Sequence, residues 1–428
     1  MNYNTKKVSY DNKTLNAFAS QKDTADADFK SMIEILNKWR LKNLKTTLQK
    51  NQKPKFVIVC TSGGGLRSSL WTFQALQYSD SLLGGELMKH TALVTGSSGG
   101  MIGASYLRDL YWQNLSGKIK DLYSPSYRTN ISKDILNSVG FSIATSDWFV
   151  SLQSVKYGKN KYNKDRGYIF ERRLDENLGN IFSDKRLRDY KLIESEAIVP
   201  LMIFSPTMVN DGRKLIVSSQ PVSFLTQNSK SDKLNVTPLN DAIEFSRFFR
   251  EQGADSILFT SVLRMSSTFP YITPIVSLPS EPAIEIMDAG MRDNYGMEVA
   301  LKYLYTFRNW IATNTSGVVI IQIRDRHKEF PIEANPPPTM MSALTRPLGS
   351  FYGNLFYMQD LSQNQQIEFI SSWFAGKVDV VDFQLQNEIP DKISLSWHLT
   401  EKEKNKVLHS IDLPENQQSI KTLRKLFE

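Results

Sequence analysis

Short apolar runs, glycine turns and helix-spaced stretches alternate along the middle of this chain. Phe56-Val57-Ile58-Val59-Cys60 is a continuous apolar run, bounded by Pro54 and then by Gly63-Gly64-Gly65. A strand covered on both faces reads this way. A helical pattern resumes from Ser68 to Tyr78. The unit then repeats in kind: Thr91 to Thr95 as strand, Gly96 to Gly100 as turn, Met101 to Trp112 as helix. Further strands are predicted at Leu201–Phe204, Leu215–Ser218, Ile284–Met287 and Val318–Ile323. Strands alternating with helices predict an α/β fold with a mainly parallel sheet covered on both sides.

The flanks read differently. Residues 1–27 are polar and predict a loosely attached segment. Phe29, Ile33, Leu36, Leu44 and Leu48 fall at helical spacing among Lys and Arg, predicting a basic amphipathic helix. Such a helix either lies on a membrane surface or packs on its own domain, and packing is the commoner outcome. Pro336-Pro337-Pro338 marks a loop, and the rest of the C-terminal region reads as α-rich with one or two strands. The expected organisation is an N-terminal extension over 1–54, a central domain over 55–325 and a C-terminal extension over 326–428 packed on it.

Composition narrows the chemistry. One cysteine among 428 residues excludes an internal disulfide, and with four histidines it leaves no Cys/His structural zinc site. The formal net charge of +8 is spread along the chain and suits an anionic surface without naming one. No stretch approaches the ~18 apolar residues of a membrane span, and the polar start lacks a secretory apolar region. The expected location is cytoplasmic, with peripheral membrane contact allowed.

Three turns carry the candidate chemistry. Gly96-Ser97-Ser98-Gly99-Gly100 is a G-x-S-x-G pattern between a strand and a helix, the setting of a nucleophile elbow. Small neighbours let the Ser98 hydroxyl project near the positive end of the helix; the plain alternative is a tight turn with a capping serine. Ser62-Gly63-Gly64-Gly65-Leu66-Arg67 offers backbone amides unblocked by side chains. It matches neither the phosphate-binding G-K-[ST] nor G-x-G-x-x-G patterns, and fits an oxyanion hole better. Arg67 there adds a positive charge or pairs with a surface carboxylate. Finally, Asp288-Ala289-Gly290 follows an apolar strand, placing Asp288 at a strand end as a general base or as an Asx turn. Asp293, inside the turn, ranks second.

Taken in order and spacing, these three motifs resemble those of patatin-like phospholipases over roughly residues 55–325. The stretch Arg264-Met265-Ser266-Ser267-Thr268-Phe269-Pro270 resembles the helix and F-P that precede that family's acid strand. Asp-Ala-Gly stands where plant patatins have Asp-Gly-Gly or Asp-Gly-Ala, closer to cytosolic phospholipase A2 and a bacterial branch. The resemblance implies a three-layer α/β/α sandwich and a Ser98–Asp288 dyad without a catalytic histidine. It implies an oxyanion loop of Gly64 and Gly65, with Gly63 adjoining and Arg67 following. Gly96 and Gly100 then belong to the elbow, and Ala289 and Gly290 to the acid turn. The implied reaction is hydrolysis of an acyl ester, usually in a phospholipid or other lipid at a membrane surface, through an acyl-serine. No metal, organic cofactor or nucleic acid is expected, and the sequence leaves the oligomeric state open.

Two rival readings remain at this stage. The chain order Ser98, Asp288, His327 is formally that of an α/β-hydrolase triad, although His327 sits among Arg324, Asp325, Arg326 and Lys328 as a surface histidine would. The other rival is a catalytically silent lipid- or partner-binding module. Aromatic-rich stretches at 141–162 (Phe141, Trp148, Phe149, Tyr157) and 351–374 (Phe351, Tyr352, Phe356, Tyr357, Trp373, Phe374) read either as a lid or interfacial surface or as core of the extensions.

Overall fold

A computed structural model describes residues 1–44, 53–136, 154–157, 160–163, 166–227, 240–268, 274–328, 340–386 and 392–428. Leu48, Phe141, Trp148, Phe149, Phe269, Pro270 and the Pro336–Pro338 loop lie outside these residues, as do the side chains of Tyr157, Phe351 and Tyr352.

Ten strands form two sheets: β1 (Phe56–Thr61), β2 (Thr91–Gly96), β3 (Leu201–Phe204), β4 (Thr207–Met208), β5 (Lys214–Ile216), β6 (Ala242–Glu244), β7 (Val276–Leu278), β8 (Ile284–Met287), β9 (Val318–Arg324) and β10 (Val378–Gln384). The first sheet, in the order β10-β9-β1-β2-β3, is wholly parallel. Strands β9, β1, β2 and β3 are buried at every position because both faces are covered, whereas β10 at the edge is only partly buried. Val57, Val59, Val319 and Ile321 pack on one face against Leu66, Leu70, Met101 and Ile102. These come from α3 (Gly65–Leu82) and α4 (Ser98–Leu115). Phe56, Ile58, Cys60 and Ile320 pack on the other face with residues from helix α2 (Lys22–Leu44) and helix α6 (Met297–Asn314). The result is the expected three-layer α/β/α sandwich.

Two expectations change. The predicted strands near 215 and 284 do not join the parallel sheet. They belong to the second sheet, β7-β8-β4-β5-β6, in which β8 runs antiparallel to both neighbours. An apolar run tells that a strand is buried but not which way its partners run. The two sheets touch where Phe204 bridges Val217.

The N-terminal residues are docked, not loose. Met1 and Leu15 are buried, Asn2 N–H donates to the Gln252 carbonyl at 2.7 Å, and Val8–Ser9 pairs in parallel with Ser280–Glu281. Asp11 caps helix α1 (Asn12–Ala19) by accepting from Thr14 N–H at 2.7 Å. The few anchoring residues are spaced irregularly, so no periodicity announces them.

Helix α2 packs on its own domain. Met32, Leu36 and Trp39 are buried, and Trp39 meets Phe56 edge-on at 5.1 Å. In the region read as an extension, β10 extends the parallel sheet by pairing with β9 over seven residues. Helix α7 (Met340–Glu368) runs beside the turn that follows β8. Among the described residues no helix is long and apolar enough to cross a membrane.

Candidate active site

The elbow forms where β2 ends. Gly96 pairs in register with Thr61, and Ser97 N–H then donates to the Thr61 carbonyl at 3.0 Å. Ser98, the first residue of α4, has φ of 48°, a left-handed conformation that costs a non-glycine residue about 1 kcal/mol or more. That strain points the hydroxyl out of the turn. Helices α3 and α4 lie against each other at their starts, and a Cβ on Gly99 would stand 2.0 Å from the Gly65 carbonyl oxygen. Gly99 therefore allows two 18-residue helices to bring their N-terminal ends to one place. Each carries partial positive charge there.

The glycine loop is held from behind. Gly63 N–H donates to Asn294 Oδ1 at 3.0 Å, and Leu66 N–H donates to the Ser396 carbonyl at 2.9 Å. Among the described residues, the Gly64 and Gly65 amides have no acceptor. Gly64 has φ of 145°, and a Cβ there would stand 2.7 Å from Asp325 Oδ2, so both backbone and space demand glycine. The two uncommitted amides are the donors the sequence singled out; Gly63, one residue earlier, has its amide occupied.

Arg67 faces away from any open anion. Its guanidinium donates to Asp325 Oδ2 at 2.7 Å and to the Ile393 carbonyl at 2.6 Å, with both charged side chains buried. The pair braces the loop through Asp325, whose amide donates to Ser62 Oγ at 2.8 Å. Removing one partner of a buried pair leaves an uncompensated charge, costing about 3–5 kcal/mol. Asp325→Ala is expected to lose stability on that scale in urea unfolding, whereas replacing Arg67 and Asp325 together by Met and Leu recovers most of it.

Asp288 closes the third side. Its amide donates to the Thr268 carbonyl at 2.8 Å, just after helix α5 (Phe259–Ser266), and its Oδ1 accepts from Gly290 N–H at 2.7 Å. The Ser98 side chain lies close enough to act on its carboxylate. Burial dominates and pushes the carboxyl up to about 7; Ser98 and Gly290 pull the other way without prevailing. Ala289 and Gly290 begin the helical turn that follows.

Asp293 is also raised, to about 6, by burial and by Glu298. It serves a different place. Its carboxylate accepts from Val299 N–H at 3.3 Å, at the start of α6, and from Gln363 Nε2 at 3.2 Å. The helix-capping role explains why the turn carries two aspartates while only Asp288 meets Ser98.

Several residues at the site carry no signal in the sequence. Asn294 Oδ1 accepts from both Gly63 N–H and Ser97 Oγ (3.1 Å), so one side chain ties the glycine loop, the elbow and the acid turn. It lies in the acid-turn stretch, yet nothing local marks it. Gln359, Asp325, Ile393 and Ser396 reach the site from far along the chain. Among the described residues, no group of three His, Cys, Asp or Glu side chains could hold a metal ion.

Comparison with known proteins agrees with this layout. The profile of the family described as patatin-like phospholipase matches residues 59–301. Human GIVD cytosolic phospholipase A2, solved with methyl gamma-linolenyl fluorophosphonate, is similar at 12% identity and a TM-score of 0.41, covering 96% of this chain. The chain spans 65% of the length of that human structure. VipD from Legionella pneumophila is similar at 11% identity and a TM-score of 0.35, covering 90% of this chain and 72% of its own. No curated protein sequence gives a significant match. With more than half its length matched by one family, the chain belongs to the patatin-like phospholipases.

Proposed function

We propose that this protein is a lipid acyl hydrolase working through a Ser98–Asp288 dyad, with an acyl ester in a phospholipid or other lipid as substrate. The observation that carries the reading is a buried Asp288 carboxyl, raised to about 7, with the Ser98 side chain near enough to act on it. A carboxyl at its usual value near 3.9 is a weak base for an alcohol, so the upward shift is what lets Asp288 both take and return a proton near neutrality.

In the first half-reaction, Ser98 Oγ attacks the ester carbonyl carbon and its proton passes to Asp288. The carbonyl electron pair moves onto oxygen, facing the Gly64 and Gly65 amides and the positive ends of α3 and α4. Each such donor is worth roughly 3 kcal/mol in the transition state. Collapse breaks the bond to the alcohol, which leaves with the proton from Asp288. In the second half, Asp288 takes a proton from water, whose oxygen attacks the acyl-serine. The fatty acid departs as Ser98 recovers its proton. Gly63 and Arg67 hold the loop in place, Gly63 through Asn294 and Arg67 through Asp325.

The triad reading requires an imidazole between serine and aspartate, whereas among the described residues Ser98 itself acts on the Asp288 carboxyl and no histidine does. Accordingly His327→Ala is expected to keep kcat within about twofold of wild type, measured on the same ester; a loss of turnover would restore the triad. The silent-module reading is tested by a fluorophosphonate. A covalent adduct on Ser98, located by peptide mass spectrometry, is expected with the folded protein and absent after denaturation. A panel of phospholipids, lysolipids and glycerides then identifies the lipid class by which fatty acid is released.

A further inference from the structure

We propose that Gln359, far outside the three motifs, is a positioning residue for this hydrolysis: its carboxamide latches the acid turn and, through Asn294, keeps acid, elbow and glycine loop in mutual register. The proposal rests on the assignment of Ser98 and Asp288 above.

The contacts are specific to both ends of a carboxamide. Gln359 Nε2 donates to the carbonyls of Gly290 and Met291 at 3.0 and 3.2 Å, and its Oε1 accepts from Asn294 N–H at 2.8 Å. Gly290 N–H in turn donates to Asp288 Oδ1. Asn294, almost wholly buried, accepts on its side chain from Gly63 and Ser97 and on its backbone carbonyl from Ser97 Oγ at 2.7 Å. One side chain on α7 therefore grips the turn just after the acid and just before the residue that joins the other two motifs. Only an amide side chain offers donor and acceptor together in this way. Gln363, one helical turn further along α7, holds Asp293 from the same side. Both glutamines lie beyond residues 59–301, so the family-matched span does not contain its own latch.

What the latch protects is the dryness and aim of Asp288. Among the described residues, the groups acting on that carboxylate are uncharged: the Ser98 hydroxyl and the Gly290 amide. The charged members of the turn look elsewhere, Arg292 toward Gly212, Asp241 and Glu298, and Asp293 toward α6 and Gln363. A loosened turn admits water to Asp288 and lets its carboxyl fall toward the ordinary range.

The test uses the full chain, with a soluble p-nitrophenyl acyl ester as probe. Gln359→Met removes donor and acceptor at similar size, and Gln359→Glu keeps only the acceptor. Both are expected to lower kcat by 10- to 100-fold with KM within twofold, and the uncharged Met variant to move the midpoint of the kcat–pH profile to lower pH. Wild-type kcat and midpoint in the variants, with or without a lower melting temperature, overturn the proposal, because a purely structural role moves only the melt. A raised KM at wild-type kcat overturns it equally. Should the Met variant fail to fold, the isosteric Glu variant decides by kcat and KM. A wild-type chain that neither cleaves the ester nor labels with fluorophosphonate defeats the Ser98–Asp288 assignment itself, an outcome separate from active wild type beside unchanged variants.

Discussion

Ser98→Ala is expected to lower kcat by at least about 10⁴-fold, because nucleophile and base act as one unit and the remaining amides stabilise nothing that has not formed. Fluorophosphonate labelling should vanish with it. The substitution to watch beside it is Ser98→Gly, equally inactive but expected to be more stable. Ser98 sits at φ of 48°, where a Cβ is strained and glycine is not. A gain of about 1 kcal/mol in urea unfolding for Ser98→Gly over Ser98→Ala would show that the elbow trades stability for a projected hydroxyl. Activity surviving either substitution removes Ser98 as the nucleophile.

The second large effect separates activity from stability at one residue. Asp288 must be ionised to accept a proton, so kcat of the wild type should rise as pH passes through about 7. Stability runs in the opposite direction. The folded-state value lies above that of the unfolded chain, so the native protein holds this proton more tightly between about 4 and 7. The contribution is therefore fullest at low pH and is lost as pH rises through about 7. Above that range the native state contains a buried carboxylate charge with no cationic partner acting on it among the described residues. Asp288→Asn removes the charge while the amide oxygen still accepts from Gly290. The variant is expected to lose roughly 10³- to 10⁴-fold in kcat and yet to exceed wild-type stability at pH 8. The gain is on the order of a few kcal/mol, shrinking toward zero near pH 4. Thermal melts of both proteins across this pH range, beside ester hydrolysis, check both halves; a variant less stable than wild type at pH 8 contradicts the burial argument.

Why the sequence revealed some of this and not the rest follows from the range of the interactions. Ser98, Gly64, Gly65 and Asp288 were legible because sharp turns between buried strands and helices impose small residues locally, within five positions of the reacting group. The parallel sheet was legible for the same reason: apolar runs at 56–60, 91–95 and 318–323 are what two-sided burial requires. The partner of Arg67 was not, because Asp325 stands far along the chain and either a surface or a buried carboxylate fits a lone arginine. The antiparallel setting of Ile284–Met287 depends on which strands it meets, Met208 and Val276, and its own residues do not encode that. Gln359 sits among aromatic and polar residues that read as an undistinguished helix. Its meaning arises only when α7 lies against the acid turn.

The glycine loop leans on carbonyls at Ile393 and Ser396, which follow the acid turn at a long distance along the chain. Translation delivers those residues after every motif residue has left the ribosome. On the dyad reading, a nascent chain would already contain serine, aspartate and glycines while its loop lacked the brace that fixes the amides. Competence for hydrolysis would thus arrive only once Ile393 and Ser396 had emerged, and a chain cut short before them would carry the reactive groups past nearby lipid without using them.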